Sequence, residues 1–170
     1  MGDIERTGRV RIFIGILLPA CALALAAFYA LLFQRDNAAP VVNLTGFNID
    51  GRDILYQMDK CWSNDKKLVV SGWVVRKGHG AARRSVRVVV VDDSGQPRAM
   101  KTTQIDREDV SGQVNHRLGD KIRYRNAGFS ASLNLAAADP PIRPGALHIT
   151  YDDGDRKVLL PIPCRAGHPR

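Results

Sequence analysis

Hydrophobic and polar positions follow two different rules along this chain. Residues 12–33 form an apolar run of 22 residues without a charge, bracketed by Arg11 and Arg35. About 20 apolar residues at 1.5 Å rise cross the hydrocarbon core of a bilayer, so the run predicts one membrane-spanning helix. Pro19 and Gly15 are tolerated in such a helix. A cleavable signal peptide has an apolar centre of roughly 7–15 residues, whereas Leu31, Leu32 and Phe33 continue here past the small residues at 24–30. A lipoprotein signal would use Leu18-Pro19-Ala20-Cys21, but apolar residues continue from 22 to 33 beyond that cut.

From residue 53 onward the pattern is that of short strands. Leu68-Val69-Val70 and Trp73-Val74-Val75 flank Ser71-Gly72, and residues 86–91 are nearly all valine. Phe129, Ala131, Leu133 and Leu135 alternate with Ser130, Ser132 and Asn134, the period of a half-buried strand. Strands are predicted at 54–62, 67–76, 85–92, 97–106, 129–135, 147–151 and 158–162. Asp92-Asp93-Ser94-Gly95 and Asp152-Asp153-Gly154-Asp155 supply turn chemistry between them. Seven such strands with intervening turns predict an all-β antiparallel sandwich. Residues 107–126 stand apart as a long polar loop with room for a short helical turn.

This patterning divides the chain into an N-terminal tail (1–11), a helix (12–33), a linker (34–52), a folded β domain (53–165) and a short tail (166–170). The linker is small and polar, with Pro40 and Gly46, and the Asn43-Leu44-Thr45 triplet reads as part of it. About 110 residues suffice to bury a core without a metal. Arg6, Arg9 and Arg11 precede the helix and Arg35 follows it, so the positive-inside bias keeps the N-terminus cytoplasmic. The β domain then lies outside the inner (cytoplasmic) membrane, in the periplasm or extracellular space.

Charge adds little to this picture. Residues 36–170 carry 21 Lys and Arg against 15 Asp and Glu, dispersed along the chain. The excess suits solubility, or contact with anionic glycans or lipid headgroups. No basic stripe with interleaved aromatics points to nucleic acid. Cys61 and Cys164 sit at the two ends of the folded segment, in a compartment that permits disulfides. Their pairing would close about 100 residues, worth roughly 4–5 kcal/mol in the chain-entropy model. Two unpaired thiols are the alternative.

The succession Ser71-Gly72-Trp73, a Val-rich strand, Arg107-Glu108-Asp109-Val110, Ala127-Gly128-Phe129 and Gly145-Ala146-Leu147-His148-Ile149 resembles a bacterial extracytoplasmic immunoglobulin-like domain. The resemblance covers residues 66–162 and implies a module attached to envelope proteins or carbohydrate-active enzymes, usually without catalysis. The membrane helix and the cysteine pair are not part of that pattern. Read physically, Gly72 admits a bulge or bulky neighbour, and Trp73 fills the space between the sheets. Arg107 and Asp109 form an ion pair that ties the long loop to a strand edge, and Gly128 lets the chain turn so that Phe129 enters the core.

Catalytic and metal chemistry find little support. His79, His116, His148 and His168 are scattered, and no close His or Cys ligand pair exists. Asp152, Asp153 and Asp155 lack the ligand series of a calcium loop. Asp106, Glu108 and Asp109 are the one dense acidic group outside the turns, but alternation sends neighbours to opposite faces, away from the paired geometry of a glycosidase. The sequence therefore predicts no catalytic, cofactor or metal residues. It predicts a membrane-anchored binding or accessory module of the cell envelope, tied to glycan synthesis or export. Partner contact is expected through Arg117, Lys121, Arg123 and Arg125, with Trp62 and the Arg83-Arg84 turn as secondary surfaces. Two alternatives remain open. One is a structural subunit of a membrane complex packing through Ala20, Ala24, Ala27 and Ala30. The other is a hydrolase or transferase of envelope polymers using the acids at 106–109.

Overall fold

The computed structural model describes residues 2–80, 84–138 and 141–163, with side chains from residue 15 onward. Helix α1 (Gly2–Asp36) is longer than the apolar run alone. Its stretch Gly15–Asp36 has a mean hydropathy of 2.4 and is long and apolar enough to cross a membrane. It buries nothing, because the side chains at 15–36 are exposed. A second compact unit begins at Asn37.

The described residues of that unit form eight strands and one helix. They are β1 (Ile54–Ser63), β2 (Lys67–Arg76), β3 (Ser85–Asp92), β4 (Pro97–Ala99), β5 (Thr102–Ile105), α2 (Glu108–Leu118), β6 (Gly128–Asn134), β7 (Pro144–Asp152) and β8 (Lys157–Ile162). They form two antiparallel four-stranded sheets, ordered β1-β2-β6-β5 and β4-β3-β7-β8. Alternate residues of both sheets meet in one core. Leu68, Val70 and Val74 join Phe129, Ala131 and Leu133 on one side, and Val86, Val88, Val90, Ile149, Tyr151 and Leu160 face them from the other.

Three expectations from the sequence change here. The single strand foreseen at 97–106 is two strands in different sheets: β4 pairs with β3 and β5 with β6. Between them the chain breaks at Met100, whose side chain is buried in the core and whose N–H donates to Val88 O at 2.8 Å. Residues 37–52 are not a free linker. Asn37 accepts from the Asn134 N–H at 3.0 Å, and Ala39 is buried in the core. Val41 bridges Arg98 on edge strand β4, and Asn48 bridges Val158 on edge strand β8. The segment is therefore a strap that crosses the outer face of the β4-β3-β7-β8 sheet and covers both of its edges. Residues 107–126 contain a helix of 11 residues. Glu108 and Asp109 in its first turn and His116 and Arg117 in its last suit the helix dipole. Gly119 ends it in the left-handed conformation, φ 70°, its N–H bonded to Asn115 O.

Helix α2 gives the outer face of the other sheet a second core. Val110 and Val114, one turn apart, pack on Trp73 and Val75 together with Tyr124 and Ala127. Trp73 thus lies outside the sheet under α2, not between the sheets. Gly72 and Val74 take the inward positions of β2, so its neighbours must face out. Covering Trp73 and Val75 is worth about 1.5–3 kcal/mol for each side chain, which keeps a short helix in place.

Candidate functional site

The strands of the β domain have two ends. Asn37 enters beside Asn134, at the end where β6 stops and β2 starts. Residues 77–80 and Arg84 between β2 and β3, residues 119–127 and the β7–β8 turn gather at the other end. There two loops touch. The Tyr124 hydroxyl accepts the Gly78 N–H at 3.2 Å and donates to Asp120 Oδ2 at 2.6 Å. A Cβ on Gly80 would lie 3.2 Å from Arg123 O. Tyr124 is fully buried and its phenol is pushed up by burial first and by Asp120 second. It pins the segment from which Lys121, Arg123 and Arg125 project.

Arg117, Lys121, Arg123 and Arg125 are all exposed. The structure brings Lys77 and His79, also exposed, to the same end through the β2–β3 turn. Arg84 adds a half-buried cation whose guanidinium donates to Arg125 O. Burial pushes the Arg84 guanidinium down, with Tyr151 acting in the opposite sense. Glu108 Oε1 lies 3.5 Å from Arg123 Nη2, and the charges of Asp106 and Asp153 act on Arg84. This basic end exceeds the four residues foreseen, because pairing β2 with β6 places the turn after Arg76 beside the one before Gly128. Arg83 and Cys164 lie outside the described residues. Trp62 is half-buried on β1, at the opposite end of the strands from these loops.

Beneath the basic end runs an ion network that joins the sheets. Arg76 on β2 donates to Asp53 Oδ2 at 3.2 Å and to Asp153 Oδ2 at 3.0 Å. Arg156 donates to Asp53 Oδ1 at 3.0 Å. Tyr151 donates to Asp153 Oδ2 at 3.3 Å. Burial, then the Asp153 charge, push the Tyr151 phenol up to about 12. Burial raises the Asp153 carboxyl, but the bonds from the Arg156 N–H and Arg76 outweigh it and hold it below the usual carboxylate value.

Arg107 does more than pair with Asp109. Its Nε and Nη2 donate to Asp109 at 2.8 and 2.7 Å, and Nη1 reaches Asp59 Oδ2 at 2.6 Å on β1. Asp59 sits at the β1 bulge between Met58 and Lys60. Gly72 lies against that bulge: a Cβ there would stand 2.2 Å from Gln57 O. Gly128 does not serve a turn. It pairs with Ile105 in β5, and a Cβ there would stand 2.6 Å from Arg107 Cγ, so this glycine makes room for the arginine. Among the acids at 106–109, Asp106 accepts the Asn126 N–H at 3.1 Å, Glu108 faces Arg123 and Asp109 holds Arg107. All three fasten chain segments together.

The strap creates a groove. Residues 43–47 rise off the sheet as a turn, with Asn43 Oδ1 accepting the Thr45 N–H at 2.8 Å, Leu44 O accepting the Phe47 N–H at 3.1 Å, and Gly46 at φ +86°. Beneath it is a space of about 210 Å³ floored by Ser85, Arg87, Val89 and Thr150. Among the described residues no group of three His, Cys, Asp or Glu side chains is placed to hold a metal. No protein-family model, no curated protein and no solved structure matches this chain.

Proposed function

We propose that this chain is a single-pass envelope protein whose β domain, of immunoglobulin-like type, is a binding or accessory module for anionic partners. In this reading the Gly15–Asp36 stretch spans the inner membrane with the N-terminus cytoplasmic. The β domain lies in the periplasm or extracellular space, and Cys61 pairs with Cys164. The observation that carries the reading is the exposed set of Arg117 in the last turn of α2 and Lys121, Arg123 and Arg125 on the segment pinned by buried Tyr124. Cations on a fixed framework present charge at low ordering cost, which is what recognition of an acidic glycan or acidic protein face requires. The set lies at the end of the strands away from Asn37, where the chain enters the domain.

The test uses the full chain in nanodiscs of zwitterionic lipid. Replacing Arg117, Lys121, Arg123 and Arg125 together by Gln or Ser should abolish retention on an immobilised acidic polysaccharide, with the circular dichroism spectrum unchanged. Equal retention of the folded variant would remove this face as the binding surface. Exchange of α1 for an unrelated membrane helix should leave retention intact. Its loss would instead place the function in the helix.

A further inference from the structure

The groove beneath the strap is built differently from the basic end. Val89, Ala99 and Thr150 lie on the outer face of their sheet yet are nearly inaccessible, because the strap covers them. The strap is fixed at both ends, through Val42 N–H to Pro97 O at 2.9 Å and Asn48 N–H to Lys157 O at 2.9 Å. Its middle is held in a turn by its own bonds and has no backbone bond to the sheet. The space is therefore a consequence of chain geometry, and side-chain rearrangement alone does not close it.

The polar groups lining it are unequal. Asp152 is already engaged, its Oδ1 accepting the Gly154 N–H at 2.9 Å and its Oδ2 lying 3.5 Å from Lys157 Nζ. The Thr150 hydroxyl donates to Arg87 O at 3.3 Å. Arg87 itself is exposed, and among the described residues its guanidinium has no ion pair or hydrogen bond. Ser85 lies two residues away on the same face of β3, so its hydroxyl and the Arg87 guanidinium line one wall. Leu44 and Phe47 supply an apolar roof. A planar cation left without a protein partner among the described residues, with an adjacent hydroxyl, matches a carboxylate, which Arg binds through two parallel bonds. The apolar roof matches the body that carries it. At about 210 Å³ the space falls below the usual range for drug-sized ligands and suits a body of monosaccharide size.

We infer that this groove binds a compact organic carboxylate, of the size and chemistry of a single sugar acid, with Arg87 and Ser85 holding the carboxylate and Leu44 and Phe47 covering the ring. The site lies on the outer face of the β4-β3-β7-β8 sheet, beside the basic end, and does not depend on that surface binding anything. The acid is either free or the terminal residue of an acidic polymer.

The experiment titrates isotope-labelled full chain in nanodiscs with sodium glucuronate, with glucose and acetate as controls, and follows backbone NMR shifts. Saturable shifts at residues 42–47, 85–89 and 150–152 are expected with glucuronate, and weaker ones with either control. Arg87→Gln, an exposed change compatible with the fold, should weaken glucuronate at least about tenfold, and Arg87→Lys should restore only part of the loss. An oligouronate that binds more tightly than the monomer identifies a polymer end as the source, and equal affinity identifies the free acid. Absence of saturable shifts at these residues, equal binding of glucose, or unchanged binding by R87Q would overturn the assignment.

Discussion

The guanidinium of Arg107 grips Asp59, 48 positions earlier in the chain, at 2.6 Å, while the same group holds Asp109 at the start of α2. One side chain thereby fastens the first turn of a helix to the bulge of an edge strand in the sheet beneath it. Asp109 pulls the Arg107 guanidinium up, with Asp59 second, and Arg107 in turn pulls the Asp109 carboxyl down.

This linkage has a measurable coupling. Arg107→Ala and Asp59→Ala should each lower stability, and the double variant should fall short of their sum by about 1 kcal/mol, since both side chains are about one-third exposed and screened. Denaturant titration of the four proteins gives the value. Strict additivity would mean that the contact contributes nothing.

Two glycines should respond in opposite directions to the same methyl group. Gly112 lies inside α2 with open space where a Cβ would go, so Gly112→Ala should stabilise by about 0.5–1 kcal/mol through helix propensity. Gly128→Ala would place a Cβ 2.6 Å from Arg107 Cγ and 3.0 Å from Ile105 O, which should cost about 1–3 kcal/mol. Thermal melts of both variants provide the comparison.

Alkaline pH should unfold the domain through buried phenols. Tyr151 ionises near 12 when folded against 10 when exposed. An acid whose folded value is raised binds its proton more tightly when folded, so its contribution is fully present below pH 10. It is lost between pH 10 and about 12. The loss is of order 2 kcal/mol. Tyr151→Phe should flatten that part of the stability curve and leave the share from Tyr124, whose phenol is also pushed up by burial. At the acid end the sign reverses. The depressed carboxyls of Asp109 and Asp153 contribute above their ordinary value of 3.8, and that contribution disappears as pH falls below it.

If Cys61 and Cys164 are bridged, as the proposed compartment permits, reduction should lower the unfolding free energy by up to roughly 4–5 kcal/mol, as expected for a loop of about 100 residues. Under denaturing, non-reducing conditions alkylation should then label Cys21 alone. Labelling of all three thiols would show the pair to be reduced.

What the sequence revealed depended on whether a residue's role was set locally. The strands at 67–76, 85–92 and 158–162 fall where apolar runs and turn residues place them. Gly72 sits at a bulge, as a glycine before a large aromatic residue suggests. Trp73 was legible as buried, but not as buried on the outside, because that depends on Val110 and Val114 arriving from a later helix. The helix itself had a signal in the Val pair, the charged ends and Gly119. The switch at Met100 had none, since its backbone bond goes to Val88 in another strand. The strap was least legible. Its residues are small and polar like those of a linker, and their fixed position comes from single bridges to strand edges. Of the basic end, the four arginine and lysine positions could be read directly, whereas Lys77 and His79 join them only through strand pairing.

The strap also guards the domain. Unpaired strand edges invite neighbouring chains to add strands. By engaging both β4 and β8, residues 37–48 leave the other sheet to supply the exposed edges. There β5 is only 4 residues long and β1 is bent by its bulge. A protease that cut at Asp36 would leave both bridges of the strap in place. One that cut at the exposed Gly46 turn would free the cover from β4 and β8 and open two strand edges to a neighbouring copy. The position of a single cut would decide whether copies of the domain stay apart or join edge to edge.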